Sequence, residues 1–314
     1  MLRIAYCQLS AHPAYCGSNG NYCKEPIYSS DGLVLSDAIY VDKIYKICRQ
    51  IHELYINRFK YKIQQLLYTI KNKNIDILVF PEYTIPAECL KLIYDFCQAE
   101  NCVCIAASHT VQQSNEDIYK DINMDISIDE SINKSCCPII FPGENTSCFF
   151  KRNKSKWEAN MEVEPPIPSE NAFTFNFKEQ KVTVLLCIDA LHIDVDKKTT
   201  DILIVPAASP SDGSFKNKFE SHLTKEIPTI FCNFCSYGKS TVYCSVPKLT
   251  NLAYAEQTHI TKTAPYEEVV VIVDLDMSAQ VTKVHSINTT NHINIAEVLP
   301  IFYREDGQAR EGTG

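Results

Sequence analysis

Three positions in this chain place a reactive side chain at the end of an apolar run, where a buried strand would hand it to a binding site. In Ile75-Asp76-Ile77-Leu78-Val79-Phe80-Pro81-Glu82-Tyr83 the run closes on one carboxylate, Glu82. A carboxyl group there is shielded from water, which raises its affinity for a proton and suits it to proton transfer. In Val182-Thr183-Val184-Leu185-Leu186-Cys187-Ile188-Asp189 a thiol closes the run, with a carboxylate two residues on. In Cys148-Phe149-Phe150-Lys151-Arg152-Asn153-Lys154-Ser155-Lys156-Trp157-Glu158 a short run opens into a basic segment holding the only tryptophan. A thiol becomes a nucleophile when a base takes its proton, and an acyl-transfer centre also needs a cation or N–H groups for the developing oxyanion. Each position also has an ordinary reading. Glu82 could cap the next helix, Cys187 could fill the core, and the basic segment could be a surface turn.

The elements that would position these residues are short, β-branched and apolar. Strands are expected at Ile4–Leu9, Ile75–Phe80, Val103–Ala107, Cys148–Lys151, Val182–Ile188, Ile202–Ala207, Ile230–Cys235, Thr241–Val246 and Val269–Leu275. Several are apolar on both faces, as strands in the middle of a layered sheet are. Ile44, Ile47, Ile51, Leu54, Phe59, Ile63, Leu66, Leu67 and Ile70 recur at helical spacing and predict one long helix. Further helices are expected at Ala87–Ala99, after Pro86, and at Phe215–Glu226. Strand and helix alternate, then strands dominate, so the fold class is α/β, with a second sheet packed on the first. One domain over 1–303 is expected, with insertions near 11–36 and 111–134 and a disordered tail at 304–314.

Composition narrows the function classes. No apolar run reaches the roughly 18 residues of a membrane span, and the start, Met1-Leu2-Arg3-Ile4, lacks the layout of a signal peptide. A cytoplasmic protein without membrane contact is expected. The net charge of −8 argues against a nucleic-acid backbone as main partner. Fifteen cysteines without a secretory signal read as reduced thiols, most of them core filler. Cys232-Asn233-Phe234-Cys235 sits in a strand-like run without a second ligand pair, so neither a redox nor a zinc site is expected. His192, near Cys187, is too little to make a cysteine–histidine enzyme.

Taken in order, Phe-Pro-Glu82, then a strand closing on lysine, then an apolar strand closing on Cys187-x-Asp189, the pattern resembles the nitrilase (carbon–nitrogen hydrolase) superfamily. Gln8 on the opening strand, Pro206-Ala207-Ala208-Ser209-Pro210, and Asn233 followed by Gly238 and Ser240 are similar to further family features. The resemblance implies a four-layer α-β-β-α sandwich and a Glu–Lys–Cys triad: Glu82 as base, Cys187 as nucleophile, Lys151 on the oxyanion. Lys154 is the alternative lysine, since Glu162 follows it much as Glu158 follows Lys151. Glu158 would be the second, orienting glutamate, and the backbone N–H of Ile188 a second oxyanion donor. Tyr83, His109 and Asp189 are candidate substrate contacts. Ile188-Asp189 after the cysteine resembles amidases more than nitrilases, which implies an amide-type small-molecule substrate and no metal or organic cofactor. A homodimer or higher homo-oligomer, built through helices, is implied as well. Departures at Ala190-Leu191-His192-Ile193 and Asn153-Lys154 place the chain on a divergent branch. They keep open an inactive binding or sensing module as the alternative.

Overall fold

The computed structural model describes residues 1–10, 38–106, 109–155, 172–210, 213–223, 227–243, 263–277 and 292–300, with 38–52 and 292–300 as backbone. The expected insertion at 11–36 and tail at 304–314 lie outside the described residues, as do Trp157, Glu158 and Glu162. The elements are β1 (Leu2–Gln8), α1 (Ala38–Ile70), β2 (Ile77–Val79), α2 (Leu90–Glu100), β3 (Val103–Ile105), β4 (His109–Thr110), α3 (Glu116–Asp121) and α4 (Ile128–Ser131). They continue with β5 (Ser135–Ile140), β6 (Ser147–Phe150), β7 (Phe173–Phe177), β8 (Gln180–Val184), α5 (Asp189–His192) and β9 (Ile202–Ala207). Last come α6 (Gly213–Leu223), β10 (Thr229–Asn233), β11 (Thr241–Tyr243), β12 (Val269–Asp276) and β13 (His292–Pro300).

Two sheets result. The first runs β13-β12-β1-β2-β3-β5-β4, with β6 added to β5, and the second runs β11-β10-β9-β8-β7. Each has a parallel centre, β1-β2-β3 in one and β8-β9-β10 in the other, flanked by antiparallel strands. Parallel neighbours need a crossover, and the helices supply it: α1 and α2 in the first sheet, α5 and α6 in the second.

Strand alternation divides the apolar side chains into three layers. Ile4, Tyr6, Ile77 and Val79 meet Val182, Val184, Ile202, Ile204 and Ile230 between the sheets. On the outer face of the first sheet, Ala5, Cys7, Leu78 and Phe80 pack against Phe59, Ile63, Leu66 and Ile70 of α1 and Leu90, Ile93 and Cys97 of α2. On the outer face of the second, Leu203, Val205 and Phe231 pack against Phe215 and Phe219 of α6. The order is therefore helix, sheet, sheet, helix, as expected. The two-faced apolarity of the strands follows, since each central strand supplies two of these layers. The 111–134 segment folds into α3 and α4 and places Val111, Tyr119, Ile122, Met124 and Ile128 in the helix-side core.

One boundary differs from expectation in a way that matters. The run from Val182 is apolar through Ile188, yet β8 ends at Val184 and Cys187 stands in a turn ahead of α5.

Candidate active site

The three candidate residues leave three different strands. β2 is stopped by Pro81, which has no N–H to continue the ladder. The chain then turns sharply, with Thr84 Oγ1 donating to Pro81 O at 2.6 Å and Tyr83 in the left-handed region at φ 54°. Glu82 is carried on that turn. Lys151 follows β6 directly, and its N–H is held by Ser135 O at 2.9 Å. Beyond β8 the pairing with β9 persists through Leu185 N–H to Ile204 O at 3.1 Å and Cys187 N–H to Pro206 O at 2.8 Å. Cys187 itself has φ 45°, a conformation that costs a non-glycine residue about 1–3 kcal/mol and persists only where the surroundings hold it. The strand-turn-helix geometry lifts the thiol out of the sheet, as nucleophile turns do.

Glu82, Lys151 and Cys187 are 2 %, 3 % and 6 % exposed, so their mutual interactions are little screened. Lys151 Nζ lies 2.7 Å from Glu82 Oε1 and 5.9 Å from the centre of the Tyr83 ring. Cys187 is close enough to Glu82 and Lys151 for each to act on its thiol. Burial pushes the thiol well above its usual pKa, and the Glu82 carboxylate adds to the rise. Lys151 and the backbone N–H of Ala208 pull the other way. At rest the sulfur is therefore protonated, with a carboxylate acting on it from nearby. Lys154, by contrast, is exposed, so the lysine brought to Glu82 is Lys151.

The remaining candidates separate. Ile188 precedes the first residue of α5, and among the described residues no backbone hydrogen bond uses its N–H. Tyr83 is buried beside Lys151. Asp189, expected as a substrate contact, is instead taken up by the Lys151 segment: Asn153 N–H and Nδ2–H reach it at 2.8 and 2.9 Å. His109 also departs from expectation. Its Nε2 pairs with Tyr119 Oη at 2.8 Å and lies 3.6 Å from Cys136 Sγ, among residues of the helix-side core. The strand register turns it inward to that layer, and burial lowers its pKa to about 4. His192 is exposed on α5. Cys232 donates to Cys7 O at 3.0 Å and fills the layer between the sheets. No group of potential metal ligands occurs among the described residues.

Two supporting features were not assigned a role from sequence. The N–H of Ala208 reaches the sulfur. Asn233 holds the loop that carries Ala208: Ser209 N–H donates to Asn233 Oδ1 and Asn233 Nδ2 donates to Ser209 O, both at 2.9 Å. Asn233 is in turn braced by Ser240 Oγ at 2.9 Å and Gly238 O at 2.8 Å, and Ser240 by Gln8 at 3.1 Å. The motif residues around 206–210, 233 and 238–240 were the available signal, but only the fold shows that they share one network.

Neither a protein-family model nor a curated protein matches the sequence. Similar solved structures include the NitN amidase from Nesterenkonia sp. AN1, at 11% identity, covering 88% of this chain and 94% of that one, with TM-score 0.49. Saccharomyces cerevisiae Nit3, a member of branch 10 of the nitrilase superfamily, is similar at 12% identity over 86% and 88% of the two chains, with TM-score 0.48. A glutamine-dependent NAD+ synthetase from Acinetobacter baumannii is similar at 13% identity over 88% of this chain and 46% of that one, with TM-score 0.49. The functional reading rests on the geometry of Glu82, Lys151 and Cys187.

Proposed function

We propose that this chain is a carbon–nitrogen hydrolase of the nitrilase superfamily, a thiol amidase whose triad is Glu82, Lys151 and Cys187. The supporting observation is that three residues from distant parts of the sequence meet in one buried centre, with the lysine 2.7 Å from the carboxylate and both acting on the thiol. Core filler would not need either partner.

The chemistry follows from the protonation states. Glu82 takes the Cys187 proton as the sulfur attacks the amide carbon. The carbonyl electrons move to oxygen, where Lys151 Nζ and the Ile188 N–H hold the negative charge. One such donor contributes about 3–4 kcal/mol to the transition state. The intermediate collapses, the carbon–nitrogen bond breaks, and the proton on Glu82 leaves with the amine. A thioester remains on Cys187. Glu82 then takes a proton from water, the hydroxide oxygen attacks the thioester, and the proton returns to sulfur as the carboxylic acid departs. Holding the thiol protonated until substrate arrives limits wasteful oxidation and alkylation. No step calls on a metal or an organic cofactor. Glu158 would orient the lysine, and Tyr83 would border the substrate. A homodimer joined through helices, in the cytoplasm, belongs to the same proposal; among the described residues no helix is long and apolar enough to cross a membrane.

Ammonia release from a panel of small aliphatic and aromatic amides tests the reading. The expected result is turnover that Cys187→Ala abolishes and that Glu82→Gln reduces at least about 100-fold. Turnover unaffected by Cys187→Ala would end the proposal. The elevated thiol pKa favours a second reading, a binding or sensing module on this fold. It predicts saturable ligand binding without amine release, and with alkylation of Cys187 no faster than of other thiols.

A further inference from the structure

We propose that Asp189 is a positioning residue for Lys151, a clasp that ties the nucleophile turn of the second sheet to the lysine strand of the first. The inference rests on the reading of Glu82, Lys151 and Cys187 as one reacting centre.

Asp189 is 2 % exposed and stands two residues beyond Cys187, as the first residue of α5. A buried carboxylate is costly unless its oxygens are filled. Those of Asp189 are filled from one place. Arg152 N–H lies 3.1 Å from Oδ2 and 3.3 Å from Oδ1, Asn153 N–H lies 2.8 Å from Oδ1, and Asn153 Nδ2 lies 2.9 Å from Oδ1. These donors are the two residues that follow Lys151. On its other side, the Lys151 N–H is held by Ser135 O at 2.9 Å. The backbone of Lys151 is thus gripped before and after the residue. A lysine side chain is long and flexible, so fixing its backbone on both sides aims its ammonium group. The clasp also works in the reverse direction. It anchors the helix that begins just past the strained φ of Cys187, whose N–H is already fixed on Pro206 O.

The geometry separates two roles by sign. Were Asp189 only a nearby negative charge, Asp189→Asn would make the thiolate easier to form and alkylation faster. As a clasp, its loss lets Lys151 swing from the centre and removes the cation that favours the thiolate. Alkylation would then slow, and its pH profile would move upward. Asparagine substitutes only in part: its oxygen can keep the contacts at Oδ1, but its NH2 confronts the Arg152 N–H at the Oδ2 position and the charge that strengthens all of them is gone.

The test is the second-order rate of Cys187 alkylation by iodoacetamide against pH, read by peptide mass spectrometry, with near-ultraviolet circular dichroism to verify folding. It needs no amide turnover, so an inactive protein would sink the amidase reading and leave this one to be judged. Asp189→Asn is expected to slow alkylation about 10-fold at neutral pH and to shift the profile in the direction of Lys151→Ala. The double variant Asp189→Asn, Lys151→Ala is expected to react no more slowly than Lys151→Ala, since residues acting through one another are not additive. Asn153→Ala, which removes one side-chain donor, is expected to show a smaller shift of the same sign and carries the test if Asp189→Asn does not fold. Unchanged or faster alkylation in the folded variants, or independent additive losses, overturns the proposal.

Discussion

Cys187 is a thiol that its environment both suppresses and prepares. Burial and the Glu82 carboxylate hold the proton on sulfur, while Lys151 and the Ala208 N–H favour its release. The two members of the pair at 2.7 Å therefore act on the sulfur with opposite signs. Removing each should separate thiolate formation from turnover. Glu82→Gln takes away the repulsion and is expected to move the alkylation midpoint of Cys187 to lower pH. Under the proposed mechanism, the same variant is expected to lose about 100- to 10,000-fold in amide hydrolysis, because Glu82 is its general base. Lys151→Ala should move the midpoint upward and also lose turnover. A pH profile of alkylation beside a turnover assay checks both, and a common direction for the two midpoints would contradict the geometry. At this scale the sequence was informative in an uneven way. The trio of Glu82, Lys151 and Cys187 could be picked out by order and by the apolar runs that end on them. What Asp189 and His109 face could not, because a side chain's partner is settled by register and by the direction of a turn, neither of which a single sequence prints.

Turns, more than strands, decide this site. Tyr83 and Cys187 both occupy the left-handed region, and each follows or carries a reacting group. The apolar run from Val182 to Ile188 has no punctuation at Val184, so nothing in its residues marks the end of β8. Pro138 within β5 cannot donate to a ladder; the fold accommodates it, with Pro138 O accepting from Ala106 N–H at 3.0 Å. The turn between β10 and β11 shows the same dependence on local geometry. Gly238 has φ +63°, and a Cβ there would fall 2.5 Å from Pro265 N and 2.7 Å from Ala264 C, both backbone atoms. Its carbonyl is also one of the acceptors that brace Asn233. Gly238→Ala is therefore expected to destabilise the protein by about 2 kcal/mol or more, and, by loosening Asn233, to lower turnover. Thermal unfolding with parallel kinetics checks this; a variant with unchanged stability would show that the turn can relax.

For the whole molecule, layering was the legible part. Strands apolar on both faces announced that each sheet is covered twice, and the three apolar layers are the result. Which strand neighbours which was not legible, since β1 pairs with β2 and also with β12 from the far end of the chain. The layered core also sets how the fold answers to acid. His109 is neutral inside it, with a pKa lowered by burial to about 4 against the usual 6.5. The unfolded chain then binds more protons than the folded one between those values. Stability is full above about pH 6.5 and falls as acid is added, by roughly 3 kcal/mol down to about pH 4. Urea unfolding at neutral pH and at about pH 4 is expected to show this loss, and His109→Phe to show that much less of it. Equal acid losses in the two proteins would assign the sensitivity elsewhere.

The pairing of β1 has a consequence in time. Strand β1, made well before its partner, is hydrogen-bonded along Leu2–Gln8 to Val269–Leu275, with Arg3 and Asp274 joined at 2.7 Å. Until β12 is made, one edge of β1 lacks that partner, and an open apolar edge invites pairing with the wrong chain. Contacts of such long sequence separation also close slowly. Cys187 and Glu82 are made before β12, yet the sheet that holds Glu82 gains its β1–β12 pairing only when residues 269–275 arrive. A nascent chain stalled short of β12 would thus carry Glu82, Lys151 and Cys187 and lack the strand that pairs along β1.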